Sequence, residues 1–105
     1  MRQALIKYHN IDAGILSETD EGTYEFSYFK AYIEAYPKLF VTFSMPVSTQ
    51  IYRSKILFPF FDGLIPEGWL LKLTTESWKI KSNDRMGLLL ATGKNCIGAV
   101  SVHRL

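Results

Sequence analysis

Phe58-Pro59-Phe60-Phe61-Asp62-Gly63-Leu64-Ile65-Pro66-Glu67-Gly68-Trp69 is the stretch at which the chain changes character. Before it, apolar residues alternate with polar ones. From Pro59 onward their spacing turns helical, punctuated at Gly63, Pro66, Gly68, Gly87, Gly93 and Gly98. A strand-forming first half followed by a helix-forming second half predicts an α+β domain. Its expected core is a small, mainly antiparallel sheet of about five strands packed with two or three short helices.

Working outward toward the N-terminus, Gln3 to Glu18 reads as two short strands joined by a turn at His9 and Asn10. Asp20-Glu21-Gly22 predicts a second turn, and Thr23 to Tyr28 a third strand with aromatics on both faces. Lys30 to Tyr36 favours a helical turn that Pro37 stops. Phe40-Val41-Thr42-Phe43-Ser44-Met45 predicts a fourth strand ended by Pro46, and Ser48 to Lys55 a polar loop. Toward the C-terminus, Pro59 opens a short helix through Leu64. Pro66-Glu67-Gly68 opens a longer one through Trp78, with Glu67 near its positive end. Ser82 or Asn83 caps a third helix, Asp84 supports its first turn, Gly93 ends it, and Ala99 to His103 returns as a final strand. No repeat, low-complexity tract or linker breaks the chain, so residues 1–105 read as a single domain.

Composition narrows the function classes. Hydrophobic residues make up 48% and aromatics 14% of 105 residues, which is too apolar for a disordered tail. The net charge of +2 comes without any run of Lys and Arg, so direct nucleic-acid binding lacks its electrostatic footing. The single Cys96 cannot form an internal disulfide and lacks the paired spacing of a zinc site, which suits a reducing cytoplasm. The apolar run Ile56 to Phe61 is interrupted by Pro59, and the N-terminal apolar stretch is too short for a signal peptide, so no membrane segment is expected.

Catalytic chemistry is equally thin. No P-loop, GxGxxG, HExxH or GxSxG motif occurs, so no cofactor or metal is expected. His9 and His103 lie near opposite termini and meet only if the first and last strands bring them together. Cys96 follows a helix end, whose negative dipole raises a thiol pKa rather than activating it. Asp62 and Glu67 are the close acidic pair in an apolar setting, and holding loop amides or helix N-termini explains both more simply than catalysis. The residues read as a binding module rather than an enzyme.

The Phe58 to Trp69 block resembles the N-terminal subdomain of the HipA kinase family. So does Asp84-Arg85-Met86-Gly87-Leu88-Leu89-Leu90-Ala91-Thr92-Gly93-Lys94-Asn95-Cys96-Ile97-Gly98-Ala99. That subdomain shows a Pro-Phe-Phe-Asp-Asn-Leu-Leu-Pro-Glu-Gly block, then a Leu-Leu helix and Gly-x-Asp-x-x-Gly-Ala. Val41 to Pro46 is similar to its strand ending in Ser-Leu-Pro. Gly63 stands where Asn is usual, Met86 where Phe is common and Asn95 where Asp is common. The last change puts in doubt any charge-assisted bond made by the family's Asp.

The resemblance implies a chain without the phosphate loop, catalytic Asp and metal-binding residues of the kinase lobe. It implies the role of the small antitoxin HipS. Such a protein neutralises a shortened kinase toxin, HipT, beside a helix-turn-helix protein, HipB, that would carry any DNA contact. A stabilising or activating subunit of a split kinase is the alternative. At 100° per residue, Trp69, Leu70, Leu71, Leu73 and Trp78 span an arc of roughly 200°, wider than one core contact needs. Trp69 lies at the edge of that arc and is expected to project toward the kinase, with Phe60, Phe61, Asp62 and Glu67 as further partner-binding residues.

Overall fold

In the computed structural model, which describes residues 1–65, 84–93 and 99–105, the alternating first half forms a meander. Its strands are β1 (Arg2–Tyr8), β2 (Ile11–Glu18) and β3 (Tyr24–Tyr28). The turn between β1 and β2 places His9 at φ 50° and Asn10 at φ 66°. Left-handed backbone at both central residues is what a two-residue hairpin loop demands to match the twist of its strands. The strand β4 (Tyr52–Ser54) adds to β3, and β5 (Val100–Arg104) runs antiparallel to β1. The sheet order is therefore β4-β3-β2-β1-β5, with the first strand inside and the last at an edge. Three described helices complete the fold: α1 (Lys30–Ala35), α2 (Pro59–Asp62) and α3 (Arg85–Thr92).

Strand periodicity sorts one face of the sheet into the core. Ala4 and Ile6 of β1, Leu16 of β2, Phe26 and Tyr28 of β3, and Val100 and Val102 of β5 are all buried. Phe61 of α2 and Met86, Leu88 and Leu89 of α3 join them in one continuous cluster. Two close approaches depend on missing side chains. A Cβ on Gly14 would run into the Ser27 carbonyl of the neighbouring strand, beside a register shift in the β1–β2 ladder. A Cβ on Gly93 would run into Val102, so glycine lets the end of α3 settle against β5.

Four expectations are corrected. The aromatics Tyr24, Phe26 and Tyr28 share one face of β3 rather than both, because a spacing of two residues returns to the same side of a pleated strand. Phe40 to Met45 is not a sheet strand. It keeps the alternation, with Val41 and Met45 buried and Phe43 exposed, but it closes on itself in a turn bridged between Thr42 and Met45. Tyrosine hydroxyls take its backbone groups in place of a ladder. Tyr28 Oη accepts from Val41 N at 3.0 Å and donates to the Met45 carbonyl, while Tyr32 Oη donates to the Leu39 carbonyl at 2.6 Å. The fourth strand instead falls inside the expected polar loop, at Tyr52–Ser54. The N-cap of α3 is Asp84, whose Oδ1 accepts from Gly87 N at 3.1 Å. The expected caps Ser82 and Asn83 lie outside the described residues, as does the helix expected from Pro66 to Trp78.

The cap is tied to the sheet by charge. Arg2 donates from Nε and Nη2 to Glu18 at 2.7 and 3.0 Å, and from Nη1 and Nη2 to Asp84 at 2.9 and 2.8 Å. Hydrogen bonds first to Asp84 and then to Glu18 push the guanidinium pKa far above its ordinary value. Arg2→Ala leaves the two carboxylates facing each other at the start of α3. With the groups about one third exposed, screening discounts the loss to about 1–2 kcal/mol, which urea unfolding at neutral pH should register.

Candidate partner interface

The Pro59–Asp62 helix is short because Pro59 starts it, with no N–H to orphan, and Gly63 closes it by donating to the Pro59 carbonyl at 2.9 Å. Within one turn its side chains take different directions. Phe61 is wholly buried, its ring centroid 5.6 Å from that of Phe26 and 6.1 Å from that of Phe58. Phe60 is half-buried, edge-on to Phe61 at 5.3 Å, while Pro59 is exposed. Asp62 turns to α3, where Arg85 Nε donates to its Oδ1 at 2.6 Å.

That ion pair borders a recess of about 350 Å³ lined by Ile56, Leu57, Pro59, Asp62 and Arg85. Ile56 is strongly exposed on its wall, and Leu57 is buried behind it. Both charged groups are partly exposed, so the pair contributes at most about 1 kcal/mol to stability. Its structural effect is to hold α2 against α3. An apolar hollow with its charges already paired is suited to receiving an apolar side chain from another molecule, since no unpaired charge has to be desolvated.

Of the residues expected to meet a partner, Asp62 lines this recess, while Phe60 is half-buried on the same turn against Phe61 and is not among the lining residues. Phe61 lies beneath it in the core and has no exposed area to offer. Asp62 pairs with a side chain instead of holding loop amides or a helix N-terminus, as the sequence reading had it. Trp69 and Glu67 lie outside the described residues, as does Cys96. Arg85 and Ile56 are the participants that sequence reasoning missed. The signal for Arg85 was present, a cation beside the cap of the next helix, but nothing in the pattern said which acid it would face.

The histidines do not form a site. The strands β1 and β5 do pair, but the register sets His103 opposite Leu5, while His9 N donates to the Ala99 carbonyl at 2.8 Å, at the other end of the ladder. The His103 ring instead lies 2.8 Å from Ser101 Oγ. Among the described residues no group of His, Cys, Asp and Glu could hold a metal ion, and no helix is long and apolar enough to cross a membrane.

Residues 4–103 match the sequence profile described as the HipA N-terminal domain. An uncharacterized protein of Haemophilus influenzae is 35% identical over 90 residues, covering 86% of this chain and 80% of that protein. The putative kinase Y4dM of Sinorhizobium fredii is 28% identical over 104 residues, which is 93% of this chain but 25% of the kinase. The chain thus spans about a quarter of that relative's length. Among solved structures, the N-terminal domain of HipA toxin superposes with a TM-score of 0.75 at 26% identity, over 100% of this chain and 93% of that one.

Proposed function

The chain belongs to the HipA N-terminal domain family, and from that premise we propose that it is a non-catalytic antitoxin of the HipS kind. In this reading it binds a HipT- or HipA-like serine/threonine kinase in trans, in the cytoplasm, and neutralises it. A HipB-like DNA-binding protein completes the complex and makes its DNA contacts. The observation that carries the reading is the double occurrence of the domain. It matches a quarter of a putative kinase, and it also matches four fifths of a small relative. A unit that occurs both within a kinase chain and as most of a small protein suits a regulatory subunit that docks where the fused copy would lie. The recess beside α2, with its satisfied ion pair, supplies a surface of the right chemistry.

The test is growth of cells expressing a HipT-like kinase toxin, with wild-type protein or Trp69→Ala at matched levels. Wild type restores growth. The Trp69→Ala protein is expected to bind the kinase at least about tenfold more weakly, as truncation of a tryptophan anchor does, and to lose rescue. Rescue by both proteins retains the antitoxin and removes Trp69 from the contact. Unchanged or heightened toxicity with wild type replaces the antitoxin with a stabilising or activating subunit of a split kinase.

A further inference from the structure

We infer that the turn Thr42–Met45 is a second docking element, separate from the α2 surface, which inserts Phe43 into an apolar socket of the kinase. The inference rests on the antitoxin reading. Phe43 is 84% exposed, more than any other large apolar side chain described. Its exposure does not come from a loose loop. The residues on either side, Val41 and Met45, are buried, and Met45 N donates to the Thr42 carbonyl at 3.0 Å. Tyr28 holds Val41 and Met45, Tyr32 holds Leu39, and Tyr52 Oη donates to the Pro46 carbonyl at 2.6 Å. An aromatic ring on a turn fixed at both ends loses little conformational freedom on binding, which is the condition for an anchor.

The chemistry around it is that of an interface centre. From Leu39 to Tyr52 there is no Asp, Glu, Lys or Arg, in a chain where 21% of residues are charged. Depletion of charge with aromatic and methionine enrichment marks the middle of protein contacts rather than ordinary surface. Tyr36, Leu39 and Phe40 are exposed nearby at 38%, 36% and 43%.

Size selects the occupant. On ordinary side-chain areas these four residues expose roughly 400 Å², about half of the ~800 Å² that each partner of a stable complex contributes. Two such knobs meeting head to head bury too little to hold a dimer. The rest of a full interface has to come from surface beyond this turn, which a larger partner of different shape supplies and a second knob does not.

The experiment is calorimetric titration of a catalytically inactive form of the HipT-like kinase used in the growth test with the full chain, comparing wild type, Phe43→Ser and Phe43→Leu. Thermal melting and light scattering are run on each protein alone. Phe43→Ser is expected to weaken binding at least tenfold with an unchanged melting temperature, and Phe43→Leu to recover most of the affinity. Equal affinity of Phe43→Ser and wild type overturns this inference and leaves the antitoxin reading standing. So does a fall in melting temperature, which would make Phe43 a packing residue. A wild-type dimer that Phe43→Ser converts to monomers, with kinase binding unchanged, overturns it in favour of self-association. Absence of binding by wild type overturns the antitoxin reading and this inference with it.

Discussion

Phe61→Ala is expected to lower the stability of the fold by about 3–5 kcal/mol, the cost of emptying a fully buried aromatic site. Phe61 is 0% exposed and touches the rings of Phe26, Phe58 and Phe60, so the vacated space is walled by strand and loop at once and cannot collapse cheaply. A domain of this size holds about 5–15 kcal/mol in total. The melting temperature should therefore fall by at least about 12 °C, and a large fraction of the protein should be unfolded at modest urea. Phe60→Ala, from the half-buried neighbour, is expected to cost less than half as much. Paired urea titrations read both. A loss below about 1 kcal/mol for Phe61→Ala would contradict the placement of this ring at the centre of the core.

The second large effect belongs to Tyr28. Its hydroxyl accepts from Val41 N and donates to the Met45 carbonyl, both in buried surroundings. Tyr28→Phe removes both partners and leaves an amide and a carbonyl inside without hydrogen bonds, for an expected loss of about 2–4 kcal/mol. The same burial pushes the Tyr28 pKa up from 10.0 to about 12. The unfolded chain gives up this proton near the ordinary value while the folded chain keeps it. Stability from this group is thus fully present below pH 10 and is lost as pH rises toward 12, by on the order of 2–3 kcal/mol at 1.36 kcal/mol per unit. Burial raises Tyr24 and Tyr32 in the same direction, so the wild type retains other alkaline sensitivity. The expected signature is a shallower loss of stability above pH about 10 in Tyr28→Phe than in wild type, seen in urea midpoints at neutral pH and at pH about 11. Parallel slopes would remove Tyr28 as the titrating group.

The contrast between segments shows what was legible before the structure. Local signals carried the hairpin, since an Asn in the turn between two alternating runs has one economical geometry. They also carried α2, where proline can only begin a helix, and the end of α3 at Gly93. The Phe40 to Met45 segment misled because its alternation is real, but its hydrogen-bond partners are side chains from residues 28 and 32. No local pattern reveals that a tyrosine will replace a neighbouring strand. The true fourth strand is three residues long and polar, too short for periodicity to register. At the candidate interface, the motif singled out Asp62, which lines the recess. Arg85 and Ile56 were not readable from it, because their roles depend on how α2 meets α3. Phe61 could be assigned to core or surface only once the direction of that single helical turn was known.

The place of β1 in the sheet also constrains how the protein is made. Its outer edge is completed by β5, so the ribosome must synthesise residues 100–104 before the first strand finds its second neighbour. Until then the nascent chain presents an unpaired strand edge along Gln3 to Tyr8, with β2 already in place on the other side. Closure of the sheet is a late, long-range event of the kind that slows folding and exposes edges to other chains. Shortening the dwell of that open edge, by rapid release or by a chaperone that covers it, should therefore raise the yield of this protein.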